Sequence, residues 1–380
     1  MTITTFLIVC TIIYLVSIGL LVIGFDRIEN FSLKDVPAKT KFTVVIPFRN
    51  EANNLTALLE SIARLNYTKS HYEVILINDD SSDRSLEFIN AFLKKQKSFP
   101  KNSIRVFDNV RHTNSPKKDA ITLAINQSQN DWIITTDADC ILPFFWLDTF
   151  DETIQASDSV GVVGPVTLTS QNSFINRFQT LEILALQGAT IGSFGINKPI
   201  MCNGANFCYK KSAFHKCDGF KGNDSIASGD DLFLLEKFQN QYKSKIQYLK
   251  SEKAIVLTKG EKNFNAIVQQ RLRWASKTSN YSNWFSKYIG LVVLLGNLSF
   301  ILILALLLFG TINTRIAVSL MVIKVSIDFL LLFKSARFFK QENQLSSFVF
   351  SSFLYPFFNV YIAMLSFFIP YKWKGRTFKK

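Results

Sequence analysis

Residues Phe42 to Glu51 read FTVVIPFRNE, and the fold follows from how that stretch is parsed. Phe42–Pro47 is a short apolar run rich in β-branched side chains, which is a strand signal. It closes on a polar turn, after which Leu55, Leu58, Leu59 and Ile62 recur at helical spacing. Tyr72–Asn78 (YEVILIN) repeats the pattern, ends in Asp79 and Asp80, and leads to a helix from about Ser85 to Lys97. Ile104–Phe107 and Trp132–Thr136 are two further strands, the second preceded by a helix from about Lys118 to Gln127. Alternation of this kind predicts one α/β domain over residues 41–281, with a mostly parallel sheet covered by helices on both faces. Ligands of such sheets gather at the carboxyl ends of the strands. The polar residues Asn50, Glu51, Asp79, Asp80, Asp83, Asp137 and Asp139 all fall there.

Outside that domain the chain is apolar. Thr5–Phe25 carries no charge and is long enough to cross roughly 30 Å of hydrocarbon. It lacks a basic start and a small-residue cleavage site, so residues 1–30 read as a retained anchor. Tyr288–Gly310, Ile316–Phe333 and Phe348–Ile369 make residues 282–380 a second membrane region. Lys324 and Asp328, four residues apart, can pair on one helix face, and that face should look at protein or the interface rather than lipid. The positive-inside rule puts the basic middle domain on the cytoplasmic side of the inner membrane. The tail Lys372, Lys374, Arg376, Lys379 and Lys380 belongs inside as well. Three crossings after the domain would place it outside. The last segment, broken near Pro356, is therefore expected to dip in and return or to lie in the interface.

The net charge of +14 is dispersed or lies beside apolar segments, which favours the membrane surface and anionic ligands over nucleic acid. The five cysteines have no CxxC spacing, and the three histidines no ligand spacing, so neither a zinc site nor a disulfide framework is indicated. GxGxxG and GxxxxGK[ST] are both absent, which excludes a typical dinucleotide dehydrogenase or P-loop NTPase.

Several acidic and basic clusters have both a structural and a chemical reading. Asp137-Ala138-Asp139 is either a solvated turn or a hard-oxygen site for Mg²⁺ or Mn²⁺. Asp79 to Asp83 could equally supply helix caps. Lys117 and Lys118 open a helix where cations oppose the dipole, which favours a bound anion. Gly229-Asp230-Asp231 precedes a leucine-rich helix and reads as a cap or as a pair of acids with chemical work. Asn203-Gly204-Ala205-Asn206 is a plain turn or an acceptor-side loop. Gln270-Arg271-Leu272-Arg273-Trp274 stands just ahead of an apolar span and reads as an interfacial anchor or an anion site. Helical spacing lets Gln270, Arg273 and Trp274 point one way while Arg271 and Leu272 diverge.

The joint order of VVIPFRNE, INDDSSD, PKKDA, TTDADC, GDD and QQRLRW resembles the family 2 glycosyltransferases of GT-A fold, in their membrane-bound branch. The resemblance runs from about Lys41 to Trp274, with IPxRNE and QxxRW its more specific pieces. Pro116 stands where that family usually has glycine, and Asp230 where it often has glutamate. The resemblance implies a metal-dependent, hexosyltransferase-type enzyme. Pro47, Arg49, Glu51, Asp79 and Asp80 would then line the nucleoside pocket, and Lys117 and Arg273 would meet the diphosphate. Asp137 would meet the ribose or sugar, and Asp139 with Asp137 the Mg²⁺ or Mn²⁺. Asp231, beside Asp230, would be the general base, and Gln270 and Trp274 would serve the acceptor. The expected reaction is inverting transfer from a nucleotide-sugar donor to a lipid-linked or membrane-proximal glycan. A processive polysaccharide synthase and a non-catalytic nucleotide-binding scaffold are the alternatives. Oligomeric state is not encoded.

Overall fold

The computed structural model describes residues 3–95, 99–100, 102–224, 226–277 and 281–378. Lys97, at the expected end of one helix, and the tail residues Lys379 and Lys380 lie outside the described residues.

The chain opens on α1 (Ile3–Arg27). It continues through β1 (Phe42–Phe48), α2 (Ala52–Ala63), β2 (Tyr72–Asn78), α3 (Ser85–Lys95), β3 (Ile104–Asp108), α4 (Pro116–Gln127) and β4 (Trp132–Thr135). From β1 to β4 this is the alternation the sequence predicts. Then come α5 (Trp146–Gln155), β5 (Gly161–Val163), β6 (Val166–Leu168), α6 (Phe174–Gly195), β7 (Phe207–Lys210), α7 (Lys211–Lys216) and α8 (Asp230–Tyr242). The last stretch holds β8 (Ile246–Tyr248), β9 (Val256–Thr258), α9 (Phe264–Ala275), α10 (Trp284–Leu308), α11 (Thr314–Phe338), α12 (Phe348–Phe368) and a hairpin of β10 (Tyr371–Trp373) and β11 (Arg376–Phe378).

Two compact units result. The α/β unit comprises Glu29–Thr169 and Met201–Lys259. Among the described residues its main sheet has seven strands in the order β3-β2-β1-β4-β7-β5-β8. Neighbours run parallel except β7, which is antiparallel to both β4 and β5. Val44, Val45 and Ile46 are fully buried, so β1 is covered on both faces, which is why it reads as a continuous apolar run rather than an alternation. Leu55, Leu58, Leu59 and Ile62 of α2, also fully buried, pack into the same core. The chain winds from β1 outward to β3 and then returns through α4 to β4 on the other side of β1. The order therefore reverses between β1 and β4, and a crevice opens at their carboxyl ends.

The second unit gathers Met1–Ile28, Ser170–Ile200 and Gly260–Lys380. Four of its described helices are long and apolar enough to cross a membrane, and the chain is a membrane protein. α1 and α6 meet backbone to backbone: a Cβ at Gly192 would lie 2.1 Å from the Leu21 carbonyl oxygen, so only glycine allows the approach. Lys324 Nζ pairs with Asp328 Oδ2 at 2.7 Å, and Tyr14 of α1 donates to Asp328 Oδ1 at 2.6 Å. That polar face looks at protein, as its cost in lipid requires. The expected break near Pro356 is not formed, because α12 runs through it as one helix of 21 residues. Proline there forfeits one backbone bond, while its ring is buried against neighbours. Phe358 and Ile362 of α12 pack with Ile267, Val268 and Leu272 of α9, and Tyr371 of the hairpin joins the same cluster.

Candidate active site

At the carboxyl end of β1 the Arg49 guanidinium crosses to the next strand. Its Nη1 donates to the carbonyls of Asp79 and Asp80, at 2.6 Å each, and to Asp80 Oδ2 at 3.2 Å. Asn50 (φ 53°) and Asp80 (φ 59°) both adopt the left-handed region, which Asn and Asp tolerate better than other side chains. Asn50 donates its N–H to Ser81 Oγ and accepts from Ser82 N–H, so the two strand exits are laced into one platform.

Asp79 is buried beneath that platform, and its Oδ1 accepts from Arg111 Nε at 2.7 Å and Asn109 Nδ2 at 2.9 Å. Asp80 is exposed between Arg49 and Arg111, and hydrogen bonds from these two guanidiniums hold its carboxyl below the usual carboxylate range. Glu51 turns inward and accepts from Asn54 Nδ2 at 2.6 Å, at the start of α2. Pro47 lies within β1, opposite Ile77. Asp83 caps α3 by accepting from Ser85 N–H at 3.0 Å. It also accepts from the Ser85 hydroxyl and from Ala52 N–H; burial raises its pKa, but these hydrogen bonds, the hydroxyl's first, outweigh that and lower it.

The second half of the site lies at β4. The strand ends at Thr135, and a turn follows in which Cys140 N–H donates to the Asp137 carbonyl at 3.2 Å. Asp137-Ala138-Asp139 thus occupies a turn at a strand's carboxyl end. Lys117, from the first turn of α4, places its Nζ 2.8 Å from Asp137 Oδ1 and 3.2 Å from Asp230 Oδ2. Burial pulls this ammonium's pKa down, but the charges of Asp137 and then Asp230 outweigh it and hold the group well above the ordinary lysine value.

Asp230 and Asp231 open α8 behind Gly229, which is itself the N-cap residue with φ 85°. Asp231 Oδ2 accepts from Gly204 N–H at 3.1 Å. Gly204 sits against the acids: a Cβ there would meet Asp230 Oδ2 at 3.0 Å, Asp231 Cβ at 3.5 Å and Lys117 Nζ at 3.6 Å. Lys117, Asp137, Gly204, Asp230 and Asp231 therefore form one cluster of three carboxylates around a single ammonium. Among the described residues no group of three or more His, Cys, Asp or Glu side chains forms a ready metal cage. A magnesium-type ion held by one or two carboxylates plus substrate phosphates needs none, and the Asp137–Asp139 turn offers the hard oxygens such an ion takes.

Two residues of this unit carry more than the sequence revealed. Arg111 is an isolated arginine in an irregular segment, yet it supports both Asp79 and Asp80. Lys118, paired with Lys117 in the sequence, has a different task. It is buried, donating to the carbonyls of Asn223 and Ile226 at 2.6 and 2.8 Å with its ammonium over the Phe233 ring.

In the membrane unit, α9 carries Gln270 to Trp274 behind an Asn263 cap. Gln270 Nε2 donates to Glu261 Oε1 at 2.9 Å, and the Arg273 guanidinium lies 5.1 Å from the Trp373 ring centre. Arg271 does not diverge from Trp274 as the spacing suggested. Its guanidinium lies over the indole at 4.2 Å.

The sequence profile described as glycosyl transferase family 2 matches residues 43–218, and that described as glycosyl transferase family group 2 matches residues 132–369. A poly-beta-1,6-N-acetyl-D-glucosamine synthase of Staphylococcus epidermidis is 26% identical over 231 residues, which are 60% of this chain and 52% of that one. An undecaprenyl-phosphate 4-deoxy-4-formamido-L-arabinose transferase of Serratia proteamaculans is 31% identical over 160 residues, 41% of this chain and 47% of its own. The chain spans about half the length of these curated relatives. Among solved structures, a mannosyltransferase from Pyrobaculum calidifontis in complex with GDP-Man and Mn²⁺ aligns over 93% of this chain and 99% of its own. Its TM-score of 0.58 at 15% identity is a likeness of fold.

Proposed function

The chain belongs to glycosyl transferase family group 2, and on that premise we propose that it is an inverting glycosyltransferase of the GT-A fold. It moves a hexosyl-type sugar from a nucleotide-sugar donor to a lipid-linked or membrane-proximal glycan acceptor. The observation that carries this reading is the Lys117 ammonium shared by Asp137 and Asp230, next to Asp231, at the carboxyl end of β4. The transferase module is residues 41–281, flanked by the anchor at 1–30 and the membrane region at 282–380. The module faces the cytoplasm at the inner membrane.

The roles follow from charge and position. The platform of Arg49, Asp79 and Asp80, with Pro47 and Glu51 beneath it, takes the nucleoside, and Arg111 keeps its two aspartates in place. Asp139 and Asp137 suit Mg²⁺ or Mn²⁺, which would supply positive charge to the departing diphosphate. Lys117 supplies a second positive charge there, and is worth most as the leaving oxygen gains charge. Asp231, the base, removes the acceptor's proton, and Asp230 keeps Lys117 oriented. Arg273, with Gln270 and Trp274, serves the diphosphate and the acceptor on the strength of the motif. A base acting opposite the leaving group gives inversion.

The test is incubation of membranes holding the protein with a panel of labelled nucleotide sugars plus Mg²⁺ or Mn²⁺, followed by separation of lipid from polymer products. One sugar added to a lipid fits the proposal. A long polymer would instead establish the processive reading, polymer being the product named for the poly-beta-1,6-N-acetyl-D-glucosamine synthase relative. No transfer and no donor hydrolysis across the panel would leave only a nucleotide-binding scaffold.

A further inference from the structure

Arg271 occupies a position in Gln270–Trp274 that the motif leaves unspecified, yet its contacts in α9 are the most constrained. Its Nε and Nη2 both donate to one oxygen of Glu182, at 2.9 and 2.6 Å, and the two side chains are only 4% and 8% exposed. Glu182 belongs to α6, so the bond joins segments 89 residues apart. The remaining arm, Nη1, donates to Gln270 Oε1. The guanidinium carbon lies over the Trp274 ring, 4.2 Å from its centre. A buried ion pair contributes little net stability compared with apolar packing of similar volume, so this one is better understood by what it orients. A planar cation held on one edge by a carboxylate offers its face as a fixed plate for an indole.

We propose that Arg271 is a positioning residue: anchored by Glu182, it sets the orientation of Trp274 and thereby the enzyme's use of its acceptor. The inference rests on the transferase reading above for the acceptor, but not for the geometry.

Two variants separate positioning from mere folding. Arg271→Lys keeps the charge beside Glu182 and loses the planar face. The pair Glu182→Leu with Arg271→Met removes both buried charges together and so leaves neither unpaired. In each, the acceptor KM is expected to rise about 5- to 20-fold, the range of one lost cation–aromatic contact, with donor KM within about twofold and Tm close to wild type.

An equal rise in both KM values, or no rise in a folded variant, would overturn the proposal. The second readout needs no catalysis. The fluorescence attributable to Trp274, obtained by subtracting the matching Trp274→Phe protein, should become more quenchable by acrylamide when Arg271 is replaced. An indole equally protected in both variants would overturn it. If the wild-type protein transferred no sugar, the transferase reading would fail while this measurement still decided the placement of Trp274.

Discussion

Lys117 Nζ lies 2.8 Å from Asp137 Oδ1, so two residues from separate elements of the α/β unit, the first turn of α4 and the turn after β4, are joined at the point where the sheet order reverses. Asp230 holds the same ammonium from a third element, α8, at 3.2 Å. Replacing the lysine by methionine leaves two carboxylates facing one another without their cation. Lys117→Met should therefore lower kcat/KM for the donor by about 10²- to 10³-fold, the loss seen when one preorganised charge is removed from a developing oxyanion. The sign of the pH effect is fixed too. The folded-state pKa of Lys117 is raised, so its stabilisation is complete below the unfolded lysine value of about 10.4 and is lost only as pH climbs through the folded value. A stability profile that fell between pH 7 and 9 in wild type and not in Lys117→Met would contradict this assignment.

Asp231 should be separable from the donor pocket. Asp231→Asn preserves the acceptor atom that faces Gly204 N–H and removes the basicity, so donor binding should stay within a factor of about two while transfer falls about 10²- to 10⁴-fold. Calorimetric titration with the nucleotide sugar and a single-turnover assay give the two numbers. Near-normal turnover would take Asp231 out of the mechanism.

Gly204 lies close against Asp230, Asp231 and Lys117. An added methyl would sit 3.0 Å from Asp230 Oδ2, closer than ordinary contact, and makes that carboxylate, which pairs with Lys117, give by a few tenths of an ångström. Gly204→Ala should cost about 1–3 kcal/mol of stability, as overpacking does, and reduce kcat more than it raises donor KM. A variant of unchanged kcat would mean that the carboxylate's place is not critical.

How far the sequence reaches is clear from these residues. β1, β2 and β4 were legible because each is a buried apolar run beside helices of regular spacing, and β3, only partly buried, because it keeps the alternation. β5, β6, β8 and β9 were not, since three residues are too short to display a period. The 22-residue α6 was missed as well: its buried face mixes Gln179, Glu182, Gln187 and Thr190 with leucines, so no apolar stripe marks it. Within the site, Asp79, Asp80, Lys117, Asp137 and Asp231 stand out because motif order points at them. Arg111 does not, because its partner Asp79 is 32 residues away and nothing local announces the pairing. Lys117 and Lys118 are chemically identical neighbours. Only the folded chain tells the one facing Asp137 from the one buried over Phe233.

Lys324 and Asp328 make a prediction about the membrane unit. Their side chains are 8% and 26% exposed, and Tyr14 adds a hydrogen bond to the carboxylate. Asp328→Ala leaves a buried ammonium unpaired and should cost about 3–5 kcal/mol, read as a fall in Tm of the purified protein in detergent. Removing both charges with Lys324→Met and Asp328→Leu should restore most of it. If the double variant were as unstable as the single one, the polar face would owe its place to something other than mutual neutralisation.

The side on which the C-terminus lies follows from contacts inside that same unit. α12 begins with Phe348 beside Phe329 of α11, at 5.0 Å between ring centres. Midway, Asn359 accepts from Asn297 of α10 at 3.1 Å, and Phe358 and Ile362 pack on α9. The chain then turns into the hairpin, where Lys372 N–H donates to Gln269 Oε1 of α9 at 2.8 Å. α9 precedes α10, so it lies on the side of the membrane from which α10 departs. α11 returns to that side, and a hairpin bound to α9 must end there too. We therefore expect three crossings, by α1, α10 and α11, with the unbroken α12 lying along the side that holds α9. This keeps Lys372, Lys374 and Arg376 on the side of α9, where the positive-inside rule would have a basic tail. A fusion of alkaline phosphatase to the C-terminus should be inactive and a fluorescent protein there bright. The opposite pattern would mean that α12 crosses, and that the hairpin does not rest on α9 in the membrane.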